Sequence, residues 1–225
     1  MTARIIGVVQ VKGGAGRSTL ATNLAGAIAA SGRKVALIDA DMPQGTAASW
    51  AAMREQNRPT ANLTVETSTD HETLVKAART LAEKCDVIVI DGPPRIAETT
   101  RAALILSDVC LIPLGTSAAE IWATSDLMRT IEEAREAGKR VGKTIDARIV
   151  WNRYRAGTTA AKELPEAVKD QLPIKALQTR LGFRVAYSDA LAEGLTVAEW
   201  SDRAARDELG ALCVEIGKIL RMKIA

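Results

Sequence analysis

Between an apolar run, ARIIGVVQV (3–11), and a helical pattern that opens at Ser18 lie Lys12, Gly13, Gly14, Ala15, Gly16, Arg17, Ser18 and Thr19. Glycines let a backbone curl until successive N–H groups point at one anion. The N-terminus of the helix that follows adds the positive end of its dipole. Ser18 is placed to offer a hydroxyl to a phosphate-bound Mg²⁺. The strict phosphate-loop pattern G-x-x-x-x-G-K-[ST] is broken twice, by Val11 at its first glycine and by Arg17 at its lysine. Two further apolar runs end in acids: KVALID (34–39) leads into Asp39-Ala40-Asp41, and DVIVID (86–91) ends at Asp91 before Gly92-Pro93-Pro94. A metal–triphosphate centre needs one carboxylate near the metal and another to orient the attacking water. A single Asp after a strand is an ordinary turn or cap residue. Three of them with a Gly-rich loop point to phosphate chemistry.

The elements that must position these residues alternate. Apolar strands are expected at 3–11, 34–39, 63–67, 86–91, 108–114, 144–151 and near 173–178. Helical patterns are expected at 18–32, 44–56, 72–84, 95–106, 118–138, 159–171, 185–193 and 199–221. Unbroken apolar strands alternating with helices predict an α/β fold: a doubly wound, mostly parallel sheet flanked by helices. Ligands of such sheets sit at the carboxyl ends of the strands, where the loop and the three acids fall. No repeat or Pro/Gly/Ser linker divides the 225 residues, so one domain over 1–225 is expected.

Composition narrows the function classes. Apolar residues are 47% and charged residues 25%, which excludes intrinsic disorder. Aromatic residues are only 3%, which argues against base-stacking single-strand binders. Three dispersed cysteines (85, 110 and 213) suit neither a disulfide framework nor a metal cage. The lone histidine, His71, reads as a solvated helix-start residue. No apolar run reaches the roughly 18 residues of a membrane span, and the N-terminus does not read as a signal peptide, so a soluble, reducing-compartment protein is expected. The net charge of +3 is uneven. Residues 139–184 hold eleven Lys/Arg against four Asp/Glu, a net of +7, which makes that stretch a candidate polyanion-binding face.

KGGAGRST, DADMPQG and VIVIDGPP together resemble the deviant Walker ATPases of the ParA/MinD group, most of all the small ParA type without an N-terminal DNA-binding extension. The likeness runs on through Trp151-Asn152-Arg153 and the segment 184–199. The resemblance implies P-loop binding of ATP and Mg²⁺ by Gly13, Gly14, Ala15, Gly16, Arg17, Ser18 and Thr19, with Asn152 and Arg153 near the base. It implies Ser18, Asp39 and Asp91 around the metal, Asp91 as the Walker B acid, and Asp41 positioning the water. Lys12 corresponds to the signature lysine that reaches a phosphate in the partner subunit. The implied protein is a cytoplasmic, nucleoid-associated bacterial ATPase. It forms an ATP-dependent homodimer on non-specific duplex DNA, and a ParB-like or other adaptor stimulates hydrolysis to segregate or position a plasmid, chromosome or other cargo. Arg155, Lys169, Lys175, Arg180 and Arg184 are the expected DNA contacts.

Two departures bear on this. Arg17 keeps the charge of the loop lysine but presents a planar fork, and Met42 lengthens the usual D-x-D-P-Q by one residue. The alternatives are a MinD-like membrane-surface ATPase, with 215–225 as an amphipathic tail, and a hydrolysis-deficient, nucleotide-gated DNA-binding scaffold. An electron carrier of the nitrogenase-reductase kind would need paired cluster cysteines that are absent. The sequence predicts weak hydrolysis with Arg17 as the cause. Arg17→Lys should raise the steady-state rate of phosphate release, and Asp41→Ala should abolish what remains.

Overall fold

The computed structural model describes residues 3–224, apart from the side chains at 118, 123, 164, 167 and 170. The strands are β1 (Arg4–Val8), β2 (Val35–Asp39), β3 (Leu63–Thr67), β4 (Val87–Asp91), β5 (Val109–Leu114), β6 (Asp146–Tyr154) and β7 (Lys175–Gly182). The helices are α1 (Arg17–Ala30), α2 (Thr46–Asn57), α3 (His71–Ala82), α4 (Glu98–Leu106), α5 (Ala118–Arg140), α6 (Thr159–Gln171), α7 (Ala186–Ala192) and α8 (Arg203–Leu220), with one 3₁₀ turn at Val197–Glu199. Each expected element is present, and most bounds shift by one to four residues. The strand expected near 173–178 runs on to Gly182.

All seven strands form one sheet in the order β3-β2-β4-β1-β5-β6-β7, and every pairing is parallel. Parallel neighbours require crossover connections, which the helices supply. Alternate residues of each strand face opposite layers. Ile6, Val8 and Leu37 pack beneath α1, α2, α7 and α8. Ile5, Ala36 and Ile38 pack beneath α3, α4, α5 and α6. Both faces are therefore covered, which is why these strands read as continuous apolar runs. His71 is exposed at the start of α3, and the neighbouring Asp70 caps that helix by accepting the Thr73 N–H at 2.8 Å.

The tail does not lie free. Ile216, Leu220 and Ile224 are buried in the layer over α1. The apolar side chains that a membrane-surface tail needs are thus part of the core. No described helix is long and apolar enough to cross a membrane.

At the open edge of the sheet, α8 protects β7. Glu215 accepts the backbone N–H groups of Gln178 and Thr179 at 2.8 and 3.0 Å, and Glu208 accepts that of Gly182 at 2.9 Å. Unpaired strand edges invite pairing with other chains, and charged cover suppresses it. Glu215→Ala strands two donors in a half-buried place. It should cost about 1–2 kcal/mol, read as a lower urea midpoint, with faster aggregation by light scattering.

Candidate functional site

The parallel register sets the site. Asp39 lies opposite Asp91 on adjacent strands, and Asp91 lies opposite Val8. The two acids and the start of the Gly-rich loop therefore share one row at the carboxyl ends of β2, β4 and β1. Gly92 donates its N–H to the Val8 carbonyl at 2.9 Å, and a side chain there would collide with that carbonyl. Gly16, in left-handed backbone at φ 89°, caps α1 without a side-chain bond. Any Cβ at Gly16 would strike the Asn152 amide. Gly13 and Gly14 instead face open space, with nothing within 4 Å of a Cβ built on either. An anion can approach the loop there.

The three acids differ. Both Asp39 oxygens are engaged, accepting the Asp41 N–H at 3.0 Å and the Ala48 N–H at 2.9 Å, so Asp39 ties the acid loop to the first turn of α2. Asp41 faces Arg17. Asp91 is fully buried, and neither of its oxygens has a hydrogen-bond partner among the described residues. Burial pushes its carboxyl up to about 7. The Asp39 and Asp41 charges add to the rise, while the nearby Ser18 hydroxyl, which is not in hydrogen-bond geometry with it, and the Arg17 guanidinium oppose it. An orphaned buried carboxyl beside a hydroxyl, under an open anion cradle, suits a hydrated divalent cation. Among the described residues no three His, Cys, Asp or Glu side chains converge as a cage. Such a cation would take water and phosphate oxygens as its remaining ligands, as Mg²⁺ commonly does.

Arg17 is 6% exposed and runs beneath the loop. Its Nε donates to the Gly92 carbonyl at 2.9 Å, and its Nη1 donates to the carbonyls of Gln10 and Lys12 at 2.7 and 2.8 Å. Its Nη2 lies 3.4 Å from Asp41. Lys12 is half-exposed, 4.0 Å from Glu120, which also accepts the Gly115 N–H.

On the far side of the loop, Asn152 Nδ2 donates to the Ala15 carbonyl and Arg153 to the Gly14 carbonyl, both at 2.8 Å. Arg153 adopts φ 53°, left-handed backbone that is strained for a side-chain-bearing residue. Gly14, Gly16, Thr19, Asn152, Arg153 and Tyr187 help to line a cleft of ≈ 340 Å³. The Phe183 ring, 48% exposed, borders it with the guanidiniums of Arg155 at 4.3 Å and Arg153 at 5.4 Å from its centre. Sequence reading passed over Phe183 because aromatics are scarce. The available signal was position: the chain's one Phe follows a strand at the ligand-binding end of the sheet.

The structure thus brings together Lys12, Gly13–Thr19, Asp39, Asp41, Asp91, Asn152 and Arg153. The expected polyanion-binding residues fare unequally. Arg184 is held by Glu208 at 2.8 Å and Asp202 at 3.7 Å, an anchoring role for α8. Lys169 pairs with Glu166 at 2.7 Å, one turn back on α6. Arg180 lies over the Tyr154 ring and donates to its hydroxyl at 2.6 Å. Lys175 is exposed on the edge strand.

A parallel sheet with a glycine loop and acids at its carboxyl edge defines a P-loop nucleotide-binding protein of the α/β class. Residues 6–197 match the CobQ/CobB/MinD/ParA nucleotide binding domain, and the chain belongs to that family. It is 28% identical over 214 residues to a Maintenance of carboxysome distribution protein A from Halothiobacillus neapolitanus, covering 94% of this chain and 95% of that protein. Its identity to the protein of the same description from Gloeobacter kilaueensis is 31% over 212 residues, covering 91% and 88%. The apo McdA structure from Cyanothece superposes with a TM-score of 0.76 at 17% identity, over 97% of this chain and 99% of that one. The ParA/MinD-type fold expected from the motifs is therefore the fold present.

The buried Asp91 generates a pH dependence. An unfolded Asp titrates near pH 4. Between there and about 7 the folded chain holds the extra proton, so this group makes stability fall as pH rises through that window and level off above it. Asp91→Asn should raise the nucleotide-free melting temperature by several degrees near pH 8 and leave it almost unchanged near pH 4. Melts followed by circular dichroism across that range check this.

Proposed function

We propose that this chain is an Mg²⁺-dependent ATPase that dimerises on ATP, binds duplex DNA without sequence preference, and positions or segregates a cargo through an adaptor that stimulates hydrolysis. The observation that carries the reading is the orphaned Asp91 carboxyl set in register with Asp39, beside a glycine cradle open to an anion. In this reading the loop amides of Gly13–Thr19 hold the phosphates, and Ser18 and Asp91 hold Mg²⁺ through its water shell. The cation would neutralise charge on the transferring phosphoryl group. Asp41 orients the water. Asp39 acts at one remove, holding Asp41 and α2 in place through its two backbone bonds. Asn152 and Arg153 brace the loop from the nucleoside side, where Phe183 offers a face.

Lys12 points out of its own subunit's loop toward Glu120, which leaves it free to exchange that pairing for a partner's phosphate. Arg155, Lys175 and Arg180 remain the favoured phosphate contacts on DNA, since Arg184 and Lys169 already have acidic partners. Two relatives named for carboxysome distribution favour a large assembly as cargo alongside plasmid or chromosome partition complexes. The scaffold reading keeps one specific support: Arg17 is already occupied by the protein. Turnover with and without DNA separates the two.

Calorimetry with a slowly hydrolysed ATP analogue should give binding that needs Mg²⁺. Asp91→Ala should remove the Mg²⁺-dependent part, and unchanged affinity would sink the assignment. Lys12→Ala should bind nucleotide yet fail to double in mass on ATP by light scattering. DNA affinity should fall with salt at a log–log slope of about −0.9 per neutralised phosphate. Reversing Lys175 and Arg155 to Glu should lower it at least tenfold with ATP binding intact.

A further inference from the structure

We propose that Arg54 is a positioning residue for the nucleoside: with Trp50 and Asn57 it fixes the turn that follows α7, and so the part of the cleft wall that α7 supplies. This rests on the reading of the loop and its cleft as a nucleotide site.

Trp50, Arg54 and Asn57 stand at i, i+4 and i+7 of α2, on one face of that helix. They donate to three successive backbone carbonyls just past α7. The Trp50 indole bonds Leu195 at 3.0 Å, the Arg54 Nη1 bonds Gly194 at 3.1 Å, and the Asn57 amide bonds Glu193 at 2.9 Å. Gly194 sits at φ 69°, and a Cβ there would strike the Arg54 backbone nitrogen. Helix and turn therefore meet backbone to backbone.

Arg54 is the centre of this contact. It is 4% exposed, and its guanidinium carbon lies 5.2 Å from the centre of the Trp50 ring. Four of its five N–H donors are engaged. Nε donates to Thr60 Oγ1 at 3.1 Å, Nη1 to the Gly194 carbonyl and to Glu199 Oε2, and Nη2 to Glu199 Oε1, with both carboxylate bonds at 2.9 Å. Glu199 in turn accepts the backbone N–H and the hydroxyl of Thr196 at 2.9 Å each. A bidentate guanidinium–carboxylate pair sets orientation as well as distance. Asn23 of α1 holds the same turn: its Oδ1 accepts the Val197 N–H and its Nδ2 donates to the Thr19 carbonyl, both at 2.8 Å.

The placement of these elements gives the contact its role. The first turn of α2 is held by Asp39 through the Ala48 N–H, and α1 starts directly from the glycine loop. Tyr187, Ser188 and Leu191 of α7 line the ≈ 340 Å³ cleft together with Gly14, Gly16 and Thr19. That volume falls in the range of small-ligand pockets. The α7 wall is thus set against the phosphate loop by α1 and α2, acting through the turn at 193–199. A lysine at position 54 would keep the charge, but it could not reach the carbonyl, the Thr60 hydroxyl and both carboxylate oxygens at once.

Calorimetry with Mg²⁺ compares a slowly hydrolysed ATP analogue with tripolyphosphate, which carries the phosphoryl groups and no nucleoside; tripolyphosphate is measured by competition. The natural chain should prefer the ATP analogue. Arg54→Met should weaken the analogue by about tenfold or more, since a small misplacement of contacts is costly, and change tripolyphosphate by less than about twofold. Arg54→Lys should fall between the two proteins. Arg54→Met leaves Glu199 without its buried partner, so if it does not fold, Arg54→Met/Glu199→Gln replaces it with the same expectation. Equal weakening of both ligands would overturn the proposal, because general loosening would explain it. Unchanged affinity for the analogue in a folded variant would overturn it as well.

Hydrogen exchange of the nucleotide-free proteins makes a separate arm. Amides of 193–199 should exchange faster in Arg54→Met than in the natural chain, while those of β1 keep their protection. Faster exchange at 193–199 with the analogue's affinity intact would show that the clamp serves stability alone, and the positioning role would be refuted. If the natural chain binds neither ligand, the nucleotide reading itself fails and the positioning role goes with it. If it binds both equally, the phosphate site stands and the nucleoside cleft, with Arg54's part in it, is refuted.

Discussion

Three buried carboxylates and one buried guanidinium meet where β1, β2 and β4 end. Burying that much charge is costly unless each group is paired or ligated. Asp39 is answered by two backbone N–H groups and Asp41 by Arg17, while Asp91 has no hydrogen-bond partner among the described residues. The imbalance is tolerable because burial lets Asp91 hold a proton near neutrality. It also makes the pocket receptive to a cation that would restore the charge. Stability and ligand binding are thus two sides of one electrostatic problem.

The sheet order makes that concentration of charge possible. With β1 between β4 and β5, and β4 between β1 and β2, the Gly-rich loop emerges next to both acidic loops. The glycines serve different ends. Gly92 allows β4 to approach β1 at the Val8 carbonyl, and Gly16 yields to the Asn152 amide. Gly13 and Gly14 leave room on the outer side. Arg17 draws the same strand ends together from below, so the loop is held on one side by a cation and left open on the other for an anion.

The strongly basic stretch 139–184 divides into parts with different work. Arg153 is bonded to the loop and Arg184 to α8, while Arg155 and Arg180 lie on aromatic rings near the end of β7. A net charge of +7 counted along the chain overstates the charge free to meet a polyanion. At the same edge, Glu208 and Glu215 occupy β7 backbone donors, which leaves its side chains rather than its backbone to face a partner.

By itself the sequence determined the element order, the two-sided burial of the strands and the placement of the loop and acids. Those features follow from local periodicity and from residues adjacent in the chain, such as the glycines of 13–16 and the acids that close two apolar runs. It could not decide the fate of individual polar groups, because their partners lie far along the chain. Arg17 meets Gly92, Asn152 meets Ala15, Arg184 meets Glu208 and Glu215 meets Gln178. The same applies to the tail, whose Ile216, Leu220 and Ile224 suit a lipid surface or a core equally well until α8 is seen against α1. Motif spacing is a property of the chain. Which carboxylate is left unpartnered is a property of packing, and only the assembled sheet singled out Asp91.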